Sequence, residues 1–129
     1  GAARLRKSSG SETTFNHDLT APADIEAGLL GQANDVWDWA ERMQMFGRTV
    51  TVKIKYADFR IATRSRTVID PVNQRDMLHA VALDLVRSVY PVRMGIRLLG
   101  VTISNFGTAA ATESQAPARP APEQLAFSL

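Results

Sequence analysis

The sequence predicts an α+β domain, a two-layer sandwich in which a four-stranded, mainly antiparallel sheet carries both of its helices on one face. Three observations lead there. Val50, Val52, Ile54 and Tyr56 alternate strictly with Thr49, Thr51, Lys53 and Lys55, the period-two pattern of a half-buried strand. Two other stretches, Ile25 to Ala40 and Leu78 to Val89, space their apolar residues three and four apart, as amphipathic helices do. In chain order the elements read β-α-β-β-α-β, and helices with one apolar stripe each bury it best as a layer against a sheet.

The first strand, residues 6–15, is the least regular, because it is polar, contains Gly10 and has only Phe15 as an apolar anchor. It is required because two helices need a further strand to cover them. The first helix, residues 22–46, lines up Ile25, Leu29, Leu30, Val36, Trp37 and Ala40. Asp24 and Glu26 sit in its first turn, where the helix dipole favours acids, and Gly47 is its stop signal. Strands at 49–56 and 59–68 follow, joined by Ala57-Asp58 read as a two-residue hairpin loop. That closure pairs Tyr56 with Phe59, Ile54 with Ile61, Val52 with Thr63 and Val50 with Ser65 on the inner face. The outer face then pairs Lys55 with Arg60, Lys53 with Ala62, Thr51 with Arg64 and Thr49 with Arg66.

Asp70-Pro71 reads as the N-cap and first-turn proline of a second helix, residues 71–90, whose stripe is Leu78, Val81, Ala82, Leu85, Val86 and Val89. Tyr90-Pro91 ends it. The last strand, residues 96–106, puts Leu99, Val101 and Ile103 on one face and Leu98, Gly100, Thr102 and Ser104 on the other. Residues 107–123 are Ala, Pro, Thr and Ser without periodicity, the composition of a flexible linker, and they lead to an apolar end at 124–129.

Composition bounds the function classes. At 129 residues, 45% hydrophobic and 22% charged, one compact core is expected. The absence of cysteine excludes disulfides and thiolate metal sites. No stretch approaches the roughly 20 apolar residues of a membrane span, and the N-terminus lacks a signal-peptide core. A cytoplasmic protein with no membrane partner is expected. The net charge of +2 is a weak pointer to a polyanion, but charge is segregated by segment. Six cations face one acid between Arg48 and Arg66, whereas five acids face one cation between Pro22 and Phe46. Adjacent cations on a pleated face repel unless an anion lies across them, so the hairpin face is a candidate polyanion surface.

Catalytic chemistry has no foothold. Asp58 is isolated in a turn, where aspartate serves its own backbone, and two-metal catalysis needs several converging carboxylates. His17 and His79 have no partner pattern and read as structural. Trp37 and Trp39 read as core and rim, and Glu12 as the ion-pair partner of an arginine of the sheet. Neither a catalytic residue nor a metal site is expected.

Three stretches carry a resemblance. Lys7-Ser8-Ser9-Gly10-Ser11-Glu12-Thr13-Thr14-Phe15 resembles the opening strand of the little finger, the C-terminal DNA-gripping domain of bacterial Y-family, DinB-type DNA polymerases. Asp58-Phe59-Arg60 through Thr63-Arg64-Ser65-Arg66-Thr67 is similar to its third strand, and Ile96-Arg97-Leu98-Leu99-Gly100-Val101 to its last. Their order and spacing match over residues 4–106. The resemblance implies a domain that lays its sheet against the duplex template-primer and holds phosphates without reading bases, as an enzyme copying any template must. The DNA-binding residues it implies are Lys7, Ser8, Gly10, Thr51, Lys53, Lys55, Arg60, Arg64, Arg66, Arg97, Gly100 and Thr102. The glycines are expected to let a phosphate approach backbone N–H groups.

The end of the chain, Gln124-Leu125-Ala126-Phe127-Ser128-Leu129, resembles the peptide with which such polymerases bind the bacterial sliding clamp (beta). Gln124, Leu125, Phe127 and Leu129 are its implied clamp-binding residues, an apolar trio with a leading glutamine on a polar leash. A parent that synthesises DNA past lesions in DNA repair is implied, with its nucleotidyltransferase palm and Mg2+ outside this chain. The chain itself is expected to be an inactive monomer without a cofactor. Two rival readings share the architecture. An RNA-recognition (RRM-like) module would stack bases on aromatic residues of its open sheet, and the outward positions here carry none. A basic scaffold would meet an acidic protein instead.

Overall fold

In a computed structural model, residues 7–107 are described. They form β1 (Ser8–Leu19), α1 (Pro22–Met43), β2 (Gly47–Tyr56), β3 (Ile61–Thr67), α2 (Arg75–Arg87) and β4 (Ile96–Phe106). The sheet order is β1-β4-β2-β3 and every neighbouring pair is antiparallel. Each helix joins two strands that run the same way, and each time a strand from the other half lies between them. Two interleaved β-α-β units thus make one antiparallel sheet, the split arrangement of ferredoxin-like folds. The α1 helix packs over β1 and β4, and α2 over β2 and β3.

One core lies between the layers. Ile25, Leu29, Val36 and Trp37 of α1 and Leu78, Val81 and Val86 of α2 meet Val50, Val52 and Ile54 of β2 and Leu99, Val101 and Ile103 of β4, all buried. Burying each such side chain contributes about 1.5–3 kcal/mol. Phe15 and Leu19 extend this core from β1, which continues past the expected residue 15 through a register shift between Thr14 and Leu19. Trp37 is core against Phe46, with ring centroids 5.6 Å apart, and the half-buried Trp39 lies 5.8 Å from Phe106.

Both helices are shorter than their stripes suggest. The α1 helix stops before residue 46 because Gln44 turns left-handed at φ 54°, its N–H meeting the carbonyls of Ala40 and Glu41. Gln44 Nε2 adds a bond to the Glu41 carbonyl at 2.9 Å, and Gly47 then opens β2 rather than closing the helix. The α2 helix begins at Arg75, and Asp70 caps nothing. Val72 is buried, and its N–H is committed to the Gly47 carbonyl at 2.9 Å, so residues 70–73 dock on the start of β2 instead of coiling. Gln74 is the N-cap residue, extended and without a side-chain cap.

The hairpin departs most from expectation. Its loop is Ala57-Asp58-Phe59, three residues long. The Phe59 N–H donates to the Tyr56 carbonyl at 2.8 Å, the Tyr56 N–H donates to the Arg60 carbonyl at 2.9 Å, and Phe59 is left-handed at φ 73°. This is a tight turn followed by a left-handed residue, where glycine is usual. A side chain there costs roughly 1–2 kcal/mol. Asp58 steadies the turn, accepting the Arg60 N–H at 3.0 Å and Arg60 Nε at 2.8 Å. The backbone bond from Arg60 comes first among the causes that hold the Asp58 carboxyl below its ordinary range.

The added loop residue shifts the register by one. Val50 now faces Arg66, Thr51 Ser65, Val52 Arg64, Lys53 Thr63, Ile54 Ala62 and Lys55 Ile61. Because strand side chains alternate, that slip turns every β3 side chain to the other face. Arg64, Arg66 and Ala62 therefore lie on the helix side of the sheet, not on the open face, and Phe59 leaves the inner face altogether.

Candidate nucleic-acid interface

The open face is a grid set by register. Its rows run β1-β4-β2-β3: Ser8, Ser104, Thr49, Thr67; then Gly10, Thr102, Thr51, Ser65; then Glu12, Gly100, Lys53, Thr63; then Thr14, Leu98, Lys55, Ile61. Most of it is hydroxyl groups and lysines on a flat surface. In the first row, Thr49 Oγ1 lies 2.7 Å from Thr67 Oγ1 and accepts from Asn105 Nδ2 at 2.6 Å, a chain that buries the Thr49 hydroxyl. Asn105 reaches it from a left-handed backbone, φ 57°.

Glu12 pairs with Lys53 at 3.2 Å, not with an arginine, and it does so across Gly100, which lies between them in the row. A Cβ on Gly100 would stand 2.9 Å from Glu12 Cβ, and one on Gly10 would stand 2.6 Å from Thr102 Oγ1. Both glycines thus have a reason within the sheet: a neighbouring strand fills the space a side chain would need. The Lys53–Glu12 pair is well exposed and contributes about 0–1 kcal/mol, so it ties up neither charge firmly.

The remaining cations divide by location. Lys55 closes the last row, with its Nζ 5.5 Å from the centre of the Phe59 ring, and the Arg97 guanidinium lies 4.3 Å from that ring centre. Arg60 stays in the turn with Asp58. On the helix side, Arg64 Nη1 donates to the Thr63 carbonyl at 2.9 Å and lines a cleft with Tyr90 and Arg93, while Arg66 Nη1 meets Asp84 Oδ2 at 3.3 Å. Lys7 is exposed just before β1. Of the residues expected to bind DNA, the fold therefore gathers Ser8, Gly10, Thr51, Lys53, Lys55, Gly100 and Thr102 on one face, adds Arg97 at its end, and sends Arg64 and Arg66 round the β3 edge. Gln124, Leu125, Phe127 and Leu129 lie outside the described residues.

Sequence reasoning missed Thr63, Ser65 and Thr67, which replace the arginines on the open face, and it missed Phe59. The available signal was Asp58: an aspartate whose side chain bonds the backbone two residues on marks a turn that continues past it. Among the described residues no three His, Asp or Glu side chains group as metal ligands. His79 Nε2 lies 2.8 Å from Asn34 Oδ1, linking the two helices. No described helix is long and apolar enough to cross a membrane.

Hydroxyls and ammonium groups on an open sheet face are groups that suit phosphate oxygens. Fold and face together define a two-layer α+β domain with one helix-covered and one open, polar and basic side of its sheet. The chain belongs to the impB/mucB/samB family C-terminal domain, whose family model matches residues 6–117. It is 44% identical over 106 residues to DNA polymerase IV of Gluconobacter oxydans, an alignment covering 82% of this chain and 30% of that protein. Solved structures share the fold. A Y-family DNA polymerase chimera superposes with a TM-score of 0.71 at 23% identity, over 80% of this chain and 29% of its own. The little finger domain of PolIV, solved in complex with the beta-clamp processivity factor, superposes with a TM-score of 0.63 at 20% identity, over 78% of this chain and 89% of its own. The chain thus spans about a third of the length of its polymerase relatives.

Proposed function

We propose that this chain is the part of a lesion-bypass, template-directed DNA polymerase that holds the duplex product, acting as a monomer in the cytoplasm. The observation that carries the reading is the open sheet face, where Lys53 and Lys55 stand among hydroxyl-bearing side chains on a helix-backed, rigid platform. Phosphate contacts from such groups fix a protein on a duplex without choosing a sequence. Lys7, Ser8, Thr51 and Thr102 join them, whereas Thr102 and Glu12 crowd the space over Gly10 and Gly100. Arg60, Arg64 and Arg66 reach a phosphate only from the turn or round the edge of β3. DNA synthesis itself belongs to the part of its polymerase relatives that this chain does not cover. The open-face strand positions hold no aromatic residue, which disfavours an RRM-like module that stacks bases on its central strands.

A second contact completes the reading. The last six residues, Gln124 to Leu129, dock on the bacterial sliding clamp through Gln124, Leu125, Phe127 and Leu129, in keeping with the relative whose little finger was solved with a clamp. The test of the first contact is titration of the chain with duplexes of unrelated sequence at two salt concentrations. Affinities should agree within about tenfold across sequences and fall together as salt rises, by roughly 0.9 logarithmic units per phosphate contact for each tenfold in salt. Affinity that varies with sequence beyond that range, or that ignores salt, would overturn the reading.

A further inference from the structure

We propose that Phe59 is a stacking platform for an unpaired DNA base, placed at the end of the open face where a strand leaves the duplex. The inference rests on the reading of that face as a phosphate-holding surface and adds a ligand at its margin. The ring is 60% exposed, and Phe59 belongs neither to the buried core nor to the apolar residues packed against it. It nevertheless occupies a left-handed backbone position, φ 73°, where glycine would fit without strain. A large apolar side chain kept at a steric cost, and contributing nothing to the core, is the pattern of a ligand site.

Its surroundings indicate which ligand. Lys55 and Arg97 lie 5.5 Å and 4.3 Å from the ring centre, and neither forms an ion pair among the described residues. The nearby acid, Asp58, is occupied by Arg60. An aromatic surface with two available cations is how proteins hold single-stranded nucleic acid: the ring takes a base face and the cations take the flanking phosphates. A base inside a duplex is already stacked on both sides. An unpaired base at the junction is not, and Phe59 stands beyond the row containing Lys55, the last before the loop, so a strand leaving the open face at that end would meet the ring. Every base has a π-face, so the contact is indifferent to sequence, as an enzyme copying any template requires.

The experiment uses the full 129-residue chain and a hairpin duplex in three forms: blunt, with a short adenine overhang on either strand, and with the same overhang made of abasic nucleotides. Binding is read by fluorescence anisotropy. The wild type should bind one of the adenine overhangs at least about fivefold more tightly than the blunt duplex, and the abasic overhang should lose that gain. Phe59→Leu should abolish the gain while leaving blunt-duplex affinity within about twofold, and Phe59→Trp should keep it. Phe59→Gly should also lose the gain yet melt no lower than wild type, since it relieves the left-handed backbone; a clearly lower melting temperature would mark the ring as a folding element and overturn the assignment. So would an abasic overhang that binds as well as adenine, or a gain that survives in Phe59→Leu. A chain that binds the blunt duplex but gains nothing from an overhang overturns the stacking site alone, whereas one that binds no DNA overturns the duplex-holding reading as well.

Discussion

Glu26 shows how a single side chain can clip the helix layer together. From just past the first turn of α1 it accepts two bonds from Arg87 of α2, 2.8 Å from Nη2 and 3.2 Å from Nε, and a third from the Tyr90 hydroxyl at 3.1 Å. The forked bond from Arg87 is the first cause of a Glu26 carboxyl held below its ordinary range. Burial comes first for Tyr90, followed by its bond to Glu26, and together they push its hydroxyl up to about 12. A phenol with a raised pKa binds its proton more tightly in the folded state than in the unfolded one. Its contribution is therefore complete below the ordinary tyrosine pKa of 10.0 and lost as pH rises through about 12. Tyr90→Phe should flatten the fall in stability across that alkaline window while costing about 1 kcal/mol at neutral pH. Urea midpoints measured at a series of pH values check this, and an unchanged alkaline slope in the variant would contradict it.

At the scale of elements, the β2–β3 hairpin decides which cations can meet a duplex lying on the sheet. Lys53 and Lys55 are on the open face in the row positions that alternation assigns them, whereas Arg66 is engaged with Asp84 of α2 on the opposite side. Lys55→Ala should therefore reduce the salt dependence of duplex binding by about 0.9 of a logarithmic unit, and Arg66→Ala by clearly less. Equal reductions would mean that the duplex sits against the β3 edge rather than across the sheet. Element types and order were legible in the sequence because the apolar spacing of α1, α2, β2 and β4 is unambiguous. Element ends were not. Gln44 terminates α1 in a left-handed conformation that any polar residue signals only weakly, and Val72 withholds the first turn of α2 by bonding a strand 25 residues away, a contact no local pattern encodes.

At the scale of the whole molecule, the proposed duplex and clamp contacts lie on separate segments of the chain, the sheet and residues 124–129. A tail of this composition raises the effective concentration of one partner near the other without transmitting a conformational change. Deleting Gln124 to Leu129 should abolish binding to the bacterial sliding clamp and leave duplex affinity and melting temperature unchanged. Phe127→Ala and Leu129→Ala should each weaken clamp binding more than changes at Ala126 or Ser128, because buried aromatic and aliphatic anchors dominate peptide interfaces. Calorimetric titration of purified clamp with the intact and shortened chains measures both; equal affinities would return the tail to a segment without a partner.

The sequence by itself determined the α+β class, the order of the six elements, the core stripes and the presence of a polar, cation-bearing strand, because each of these follows from the spacing of residue types along one segment. Only the tertiary structure decided which side of the sheet each β3 residue faces. Alternation relates neighbours within a strand, but the phase between two strands is set by the conformation of the loop joining them, and a left-handed Phe59 adds one residue to that loop. That single residue exchanges Arg64 and Arg66 for Thr63 and Ser65 on the open face, and it lifts an aromatic ring beside Lys55 and Arg97 that a two-residue turn would have buried.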